Sequence, residues 1–302
     1  MSNNTVPHVT TAHQSLPNSI NVFYRSAGPS DGPVILLLHG FPASSFQFRN
    51  LIPILALAGY RVIAPDLPGF GFTEIPESLN FQYTFANIAE TMGSFLDALK
   101  IEKFAVYVFD YGAPTGFRLA LQRPKAITAV VSQNGNAYEE GLGAFWDPLR
   151  QLWAAAEGSA EEEKLKSTIK GAVLNLDATK WQYTEHEPHP ELVDPASWTL
   201  DWALMNHPAN IQVQLGLFKD YRTNVTLYPQ FQKWLRDSQV PLLAVWGAED
   251  EIFVKAGAEA FKRDLPDAQI ELVTGGHFLE EAQTETVGKF MVDFLKKNGI
   301  GA

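Results

Sequence analysis

The stretch Val106-Tyr107-Val108-Phe109-Asp110-Tyr111-Gly112-Ala113-Pro114-Thr115-Gly116 constrains the fold more than any other. An apolar, β-type run ends on an acid, and small residues follow at once. A strand that turns sharply into a helix holds its apex residue in a strained, exposed position. Such a turn needs small neighbours so that the backbones can approach closely. The apex residue here is Asp110, and the position reads as that of a nucleophile.

Other short apolar runs repeat the pattern. Val34 to Leu38, Tyr60 to Pro65, Phe104 to Phe109, Ile127 to Ser132, Pro241 to Gly247 and Gln269 to Val273 read as buried strands. Continuous aliphatic runs of this length mark strands covered on both faces. Helical text separates them. Ser44 or Ser45 can cap a helix running to about Leu57. Thr84 can cap one running to Leu99, whose stripe Phe85, Ile88, Ala89, Met92, Phe95, Leu96 and Leu99 has the 3.6 period. Further helices are expected to about Gln122, near Ala256 to Asp264 and from about Glu281 to Lys297. Ile20 to Arg25 alternates like an exposed strand, and residues 1–15 read as a loose lead-in. Strand–helix alternation implies a parallel sheet flanked by helices. At Gln133-Asn134-Gly135-Asn136 the alternation stops. From 135 to 232 the text is helical and aromatic, with five of the seven tryptophans. The expected division is an α/β core over 1–134 and 233–302, with a helical cap inserted at 135–232.

Composition bounds the partners. Of 302 residues, 46% are hydrophobic and only 19% charged, which suits a substantial core. A net charge of −11 and the lack of any basic run argue against nucleic-acid or anionic-membrane partners. They favour a small neutral substrate, with water as the second reactant. The absence of cysteine excludes thiol nucleophiles, disulfide scaffolds and cysteine-based zinc sites. Met1 to Gln14 is polar, so no signal peptide is expected, and no apolar run is long enough to span a bilayer. The chain reads as cytoplasmic and in need of no cofactor or metal. Its oligomeric state is not legible, and a homodimer is left open. Gly69-x-Gly71 lacks the rest of a nucleotide loop. In Glu185-His186-Glu187-Pro188-His189, proline breaks any helix that would align metal ligands.

Ligands of open parallel sheets bind at the carboxyl ends of the strands. Four features fall there: His39-Gly40-Phe41-Pro42, Asp110, the acids after Trp246-Gly247, and Gly275-Gly276-His277. Acid, acid and histidine stand in the chain order nucleophile–acid–histidine. Glu249, Asp250 and Glu251 compete as the second acid. A rival position after Ser132 holds Asn134, which carries no charge. His39 reads as a structural loop residue.

With these segments and Asp66-Leu67-Pro68-Gly69-Phe70-Gly71, nearly the whole chain resembles the α/β-hydrolases of the aspartate-nucleophile branch. That branch includes epoxide hydrolases and haloalkane dehalogenases. The resemblance implies Asp110 as nucleophile, His277 as general base and Asp250, at the last position of a Trp-Gly-x-x-Asp pattern, as its orienting acid. A carboxylate attacking an sp³ carbon forms an ester, which water activated by histidine can hydrolyse; a serine would leave an ether. Ser44 and Ser45 lack a Gly-x-Ser-x-Gly context. The backbone N–H groups of Phe41 and Tyr111 are the expected oxyanion donors.

The leaving group separates the branch. Halide binders typically carry tryptophan after the nucleophile and often asparagine in the His-Gly loop; here those places hold Tyr111 and Phe41. Fluoroacetate dehalogenases share His-Gly-Phe-Pro but carry arginines after the nucleophile, where this chain has Tyr111 to Pro114. An epoxide needs a proton donor, and Tyr221 resembles the family's late-cap tyrosine. No early-cap tyrosine lies in Phe145-Trp146-Asp147-Pro148-Leu149-Arg150-Gln151-Leu152-Trp153. Trp146 or Trp153 stands there, and Tyr138 and Tyr183 are substitutes without a clear place. Phe145, Trp146, Trp153 and Phe278 are expected to line an apolar pocket. Epoxide hydrolysis is the leading expectation, haloalkane dehalogenation the alternative, and a non-catalytic binding protein the third.

Overall fold

A computed structural model describes residues 6–301. Eight strands form one sheet: β1 Thr10–Ser15, β2 Asn21–Ala27, β3 Val34–Leu38, β4 Arg61–Pro65, β5 Phe104–Phe109, β6 Ile127–Gln133, β7 Leu242–Gly247 and β8 Gln269–Val273. Their order is β1-β2-β4-β3-β5-β6-β7-β8. Strands β3 to β8 are mutually parallel, while β2 runs antiparallel to both its neighbours. β5 lies between β3 and β6, with Tyr107 opposite Leu37 on one side and Val131 on the other. All six of its residues are buried, which is why its text is apolar throughout.

Among the described residues, twelve α-helices accompany the sheet. They are α1 Leu51–Leu57, α2 Phe85–Ala98, α3 Gly112–Gln122, α4 Asp147–Ala154, α5 Ala160–Val173, α6 Leu176–Thr184, α7 Pro195–Met205, α8 Pro208–Asp220, α9 Arg222–Ser238, α10 Ala256–Ala260, α11 Leu279–Ala282 and α12 Thr284–Lys297. Two apolar clusters result, one on each face of the sheet. One gathers Met92, Phe117 and Phe231; the other gathers Leu55, Met291 and Leu295. Between β6 and β7 the described residues form helices and no strand. This helical stretch runs past residue 232 to Ser238, because the later part of α9 returns to the core. There Phe231 stacks on Phe117 of α3 at 5.5 Å. Among the described residues no helix is long and apolar enough to cross a membrane.

The structure corrects several expected elements. The lead-in contains a true edge strand, β1, paired with β2 from Thr10 opposite Ser26 to Ser15 opposite Asn21. Its polar text gives no strand signal because both faces remain largely open. Residues 1–5 of that lead-in lie outside the described residues. β2 ends later than expected, at Ala27, and buries Val22 and Phe23. The helix expected from Ser44 to Leu57 is divided. Ser44 does accept a bond from the Phe46 N–H, but this caps a 3₁₀ turn, Ser45–Arg49, before α1 begins. Pro53 lacks an N–H and is best accommodated in a helix's first turn, where α1 places it. The last helix breaks at Gln283, whose side chain donates to the Thr274 carbonyl instead. The helix near Ala256 tightens into a 3₁₀ turn over Phe261–Arg263.

Gly112 opens α3 beneath the Asp110 turn. A Cβ there would collide with the Leu38 carbonyl oxygen, a backbone atom that cannot rotate away. Gly112→Ala is expected to destabilise the protein by about 3 kcal/mol, the upper range for overpacking. Gly171→Ala in α5, where a Cβ meets open space, is expected to stabilise by up to about 1 kcal/mol. Thermal unfolding of the two variants checks the pair; equal shifts of the same sign would refute the tight β5–α3 turn.

Candidate active site

The turn from β5 into α3 places Asp110 at φ +45°, the left-handed region that residues with a Cβ rarely occupy. Two backbone N–H groups secure its carboxylate. Phe41, on the loop after β3, donates to Oδ1 at 2.5 Å, and the Tyr111 N–H also bonds the carboxylate. These are the two donors expected of an oxyanion hole. Burial pushes the Asp110 carboxyl up to about 6. The positive form of His277 and the two N–H donors oppose that rise, and the charge of Asp250 adds to it.

His277 follows β8, and Asp250 follows β7. The His277 ring meets Asp250 through Nδ1, 2.8 Å from Oδ2. With the Nδ1 proton directed at a carboxylate, the neutral ring carries its free lone pair on Nε2. That Nε2 is buried and has no hydrogen-bond partner among the described residues. Burial disfavours the imidazolium, but the charge and hydrogen bond of Asp250, with the charge of Asp110, raise the His277 pKa overall.

The three competing acids separate cleanly. Glu249 accepts from the Gly275 N–H at 2.7 Å, and Glu251 pairs with His186 Nε2 at 2.8 Å. Only Asp250 reaches His277. Its Oδ1 accepts from the Ile252 N–H at 2.7 Å, and its Oδ2 also accepts from Asn134 Nδ2 at 2.6 Å. Asn134, at the rival position, therefore orients the acid. It accepts in turn from the Gly247 N–H at 2.9 Å, and Gln133 Nε2 reaches the His277 carbonyl at 2.9 Å. Sequence reasoning assigned Asn134 and Gln133 no part, since the adjacency of β6 and β7 was the missing information.

Tyr221 sits at the α8–α9 junction and is fully buried. Its ring lies 4.4 Å from Trp146, 5.5 Å from Phe85 and 5.9 Å from Tyr111, and stacks on Trp153 at 6.2 Å. Its hydroxyl lies 3.2 Å from that of Tyr228. Burial holds the phenol proton on, and the negative charge on Asp110 acts in the same sense. Trp146 and Trp153 flank this ring, but their indole N–H groups are committed to the carbonyls of Ile252 and Phe218, at 2.7 and 2.8 Å.

Phe145 lies further out, with Trp181, Leu149, Ile169 and Phe218 along an apolar groove of about 760 Å³. Phe278 departs from the pocket role expected of it. Its ring is packed between Phe109 and Tyr183, at 4.7 and 3.8 Å, in the cluster on the α1–α12 side of the sheet. The hydroxyls of Tyr138 and Tyr183 are engaged by Asp264 and Asp201. His39 pins its loop by accepting from the Leu67 N–H at 2.9 Å. Of the residues in the Glu185–His189 segment, His186 pairs with Glu251 and His189 with Glu191. The Glu185 carbonyl rests so closely on Gly276 that any side chain there would collide with it.

A buried carboxylate, an acid-supported imidazole and a phenol thus meet at the carboxyl ends of β3, β5, β7 and β8. Such a set can form an ester on the carboxylate and hydrolyse it with activated water.

Comparison with known proteins agrees with this architecture. An uncharacterized hydrolase of Saccharomyces cerevisiae is 47% identical over 93% of this chain and 95% of its own length. A haloalkane dehalogenase of Psychrobacter cryohalolentis is 29% identical over 97% and 93%, respectively. Epoxide hydrolase 3 of Siraitia grosvenorii is 28% identical over 93% and 96%. Residues 33–281 match the family model of the alpha/beta hydrolase fold, so the chain is a hydrolase-related member of the α/β-hydrolase family.

Proposed function

We propose that the protein hydrolyses epoxides to vicinal diols through an ester on Asp110, with α4 to α9 acting as a cap over the strand ends. One observation carries the choice of leaving group. The Tyr221 phenol lies within electrostatic reach of Asp110, whereas the two flanking indole N–H groups, which a halide would need, are bonded to backbone carbonyls.

In the first step an Asp110 oxygen forms a bond to an epoxide carbon. The ring C–O bond breaks, and Tyr221 protonates the departing oxygen. In the second step His277 removes a proton from water, and the hydroxide adds to the ester carbonyl. Collapse of the tetrahedral intermediate releases the second alcohol, which takes its proton from His277. The carboxylic acid left on Asp110 returns a proton to the Tyr221 phenolate. Both carbons of the former ring then carry hydroxyls, and every proton is restored. The donor placement suits this route. The oxyanion of an ester on Asp110 is built on the aspartate's own carboxyl oxygen, and the Phe41 N–H already bonds Oδ1. The tightly packed aromatic walls and the acidic net charge fit a small, neutral, apolar substrate.

Asp110→Ala is expected to show no turnover. His277→Gln should stop after the first step, so intact-mass spectrometry would find a protein heavier by one substrate. Diol formation from styrene oxide and aliphatic epoxides, set against halide release from chloro- and bromoalkanes, decides the leaving group. Halide release without diol formation would replace this reading with dehalogenation.

Ring opening requires the Asp110 carboxylate, so its single-turnover rate should fall as the pH drops through about 6. The same raised pKa means that the folded state binds this proton more tightly than the unfolded state does. Its contribution to stability is therefore lost as the pH rises from about 4 towards 6. Asp110→Asn should accordingly raise unfolding stability at pH 7 by up to about 3 kcal/mol, the equivalent of the shift from 3.8 to about 6. Unfolding at pH 7 and pH 4 tests the sign: the gain should shrink at the lower pH.

A further inference from the structure

We propose that the oxygen released from the epoxide is received by two hydroxyls, those of Tyr221 and Tyr111, and that Tyr228 and Asn136 fix the direction of the Tyr221 proton. The proposal rests on the epoxide reading above and supplies the second donor for which the early cap has no tyrosine.

A departing alkoxide is strongly basic, and in a dry chamber one donor leaves much of its developing charge unsolvated. The indoles of α4 and its approach, and the two other candidate tyrosines, are engaged elsewhere: Trp146 with Ile252, Trp153 with Phe218, Tyr138 with Asp264 and Tyr183 with Asp201. Tyr111 differs. It is 2% exposed, and its hydroxyl has no hydrogen-bond partner among the described residues. A buried hydroxyl left unpaired costs about 1–3 kcal/mol, so a fold that keeps one has a use for it or an unseen partner. The ring of Tyr111 is locked between Phe85 at 4.8 Å, Tyr221 at 5.9 Å and Phe41 at 6.0 Å. The Tyr111 backbone N–H bonds the Asp110 carboxylate, and its phenol lies within electrostatic reach of that charge. Burial first, and then the charges of Asp110 and Asp220, keep its phenol protonated and able to donate.

A second observation concerns the Tyr221 proton. Asn136 Nδ2 donates to the Tyr138 carbonyl at 2.6 Å and to the Tyr228 hydroxyl at 3.3 Å. Its Oδ1 accepts from the Tyr138 N–H at 3.2 Å, which fixes the orientation of the amide. The Tyr228 oxygen thus receives a proton from Asn136. Its own proton has the Tyr221 oxygen as acceptor, 3.2 Å away. That arrangement leaves the Tyr221 proton free for the substrate. When Tyr221 gives it up, the Tyr228 O–H is already directed at the phenolate. Tyr111 holds the leaving oxygen by a hydrogen bond without transferring its proton, so the proton balance of the reaction is unchanged. Tyr221 and Tyr111 touch the reacting oxygen; Tyr228 and Asn136 act through Tyr221.

The test is single-turnover ester formation from styrene oxide, followed by intact mass, in Tyr221→Phe, Tyr111→Phe and Tyr228→Phe. Tyr111→Phe should slow ring opening about 10- to 100-fold, the worth of one hydrogen bond to a charged oxygen, and leave ester hydrolysis unchanged. Because it removes an unpaired buried hydroxyl, it should also unfold at an equal or higher temperature, the reverse of what a purely structural role requires. Tyr228→Phe should slow ring opening by about 3- to 10-fold with KM unaltered. If Tyr111→Phe opens the ring within twofold of the parent while Tyr221→Phe is impaired, the role of Tyr111 is refuted and the epoxide reading stands. If Tyr221→Phe is also unimpaired, both fall. A Tyr228→Phe protein with the parent rate refutes the relay, as does one whose ester formation and hydrolysis slow equally.

Discussion

A negative charge is held out of water at the end of β5, and the surrounding structure compensates it. Asp110 is 4% exposed and sits at a backbone angle that favours glycine. Desolvation alone would neutralise it, which would make it useless as an attacking group. Three separate elements restore its charge: the loop after β3 through the Phe41 N–H, the start of α3 through the Tyr111 N–H, and the loop after β8 through His277. These segments are far apart in sequence and meet only because parallel strands present all their carboxyl ends on one edge. The sheet order matters here chiefly because it closes this electrostatic arrangement.

Much of this was legible in the amino-acid sequence, for a specific reason. Strands covered on both faces cannot alternate, so β3 to β7 leave continuous apolar runs. The acid and the histidine that follow such runs are visible by position. What was not legible depends on neighbours that the chain does not announce. β1 has no apolar face to betray it. The order Glu249-Asp250-Glu251 alone leaves three acids in competition; the Trp-Gly-x-x-Asp resemblance singles out the middle one, and it is the one that turns towards His277. Asn134 is set aside in the sequence because it carries no charge, yet with β6 beside β7 it donates a hydrogen bond to Asp250. Phe278, adjacent to the histidine, looked like a pocket residue, but the chain reverses there and buries it between Phe109 and Tyr183.

The aromatic richness of the helical insertion divides in a similar way. Residue type pointed to an apolar pocket, and the structure separates its members by what their polar edges do. Trp146 and Trp153 give apolar faces to Tyr221 and lend their N–H groups to the backbone, which stiffens α4 against the loop after Asp250 and against α8. Their contribution is therefore shape. The phenols contribute the polarity, and none of them is ionised, because burial raises each one.

The contact between the Glu185 carbonyl and Gly276 has a mechanical consequence. It joins the end of α6 to the peptide immediately before His277, and the His186–Glu251 pair fastens the same turn beside Asp250. Any motion that lifted α6 away would pull directly on the histidine and its acid. The apolar groove beside Phe145 and Phe218 counts Glu251 and Trp181 in its wall, so the same fastening also fixes one side of that groove.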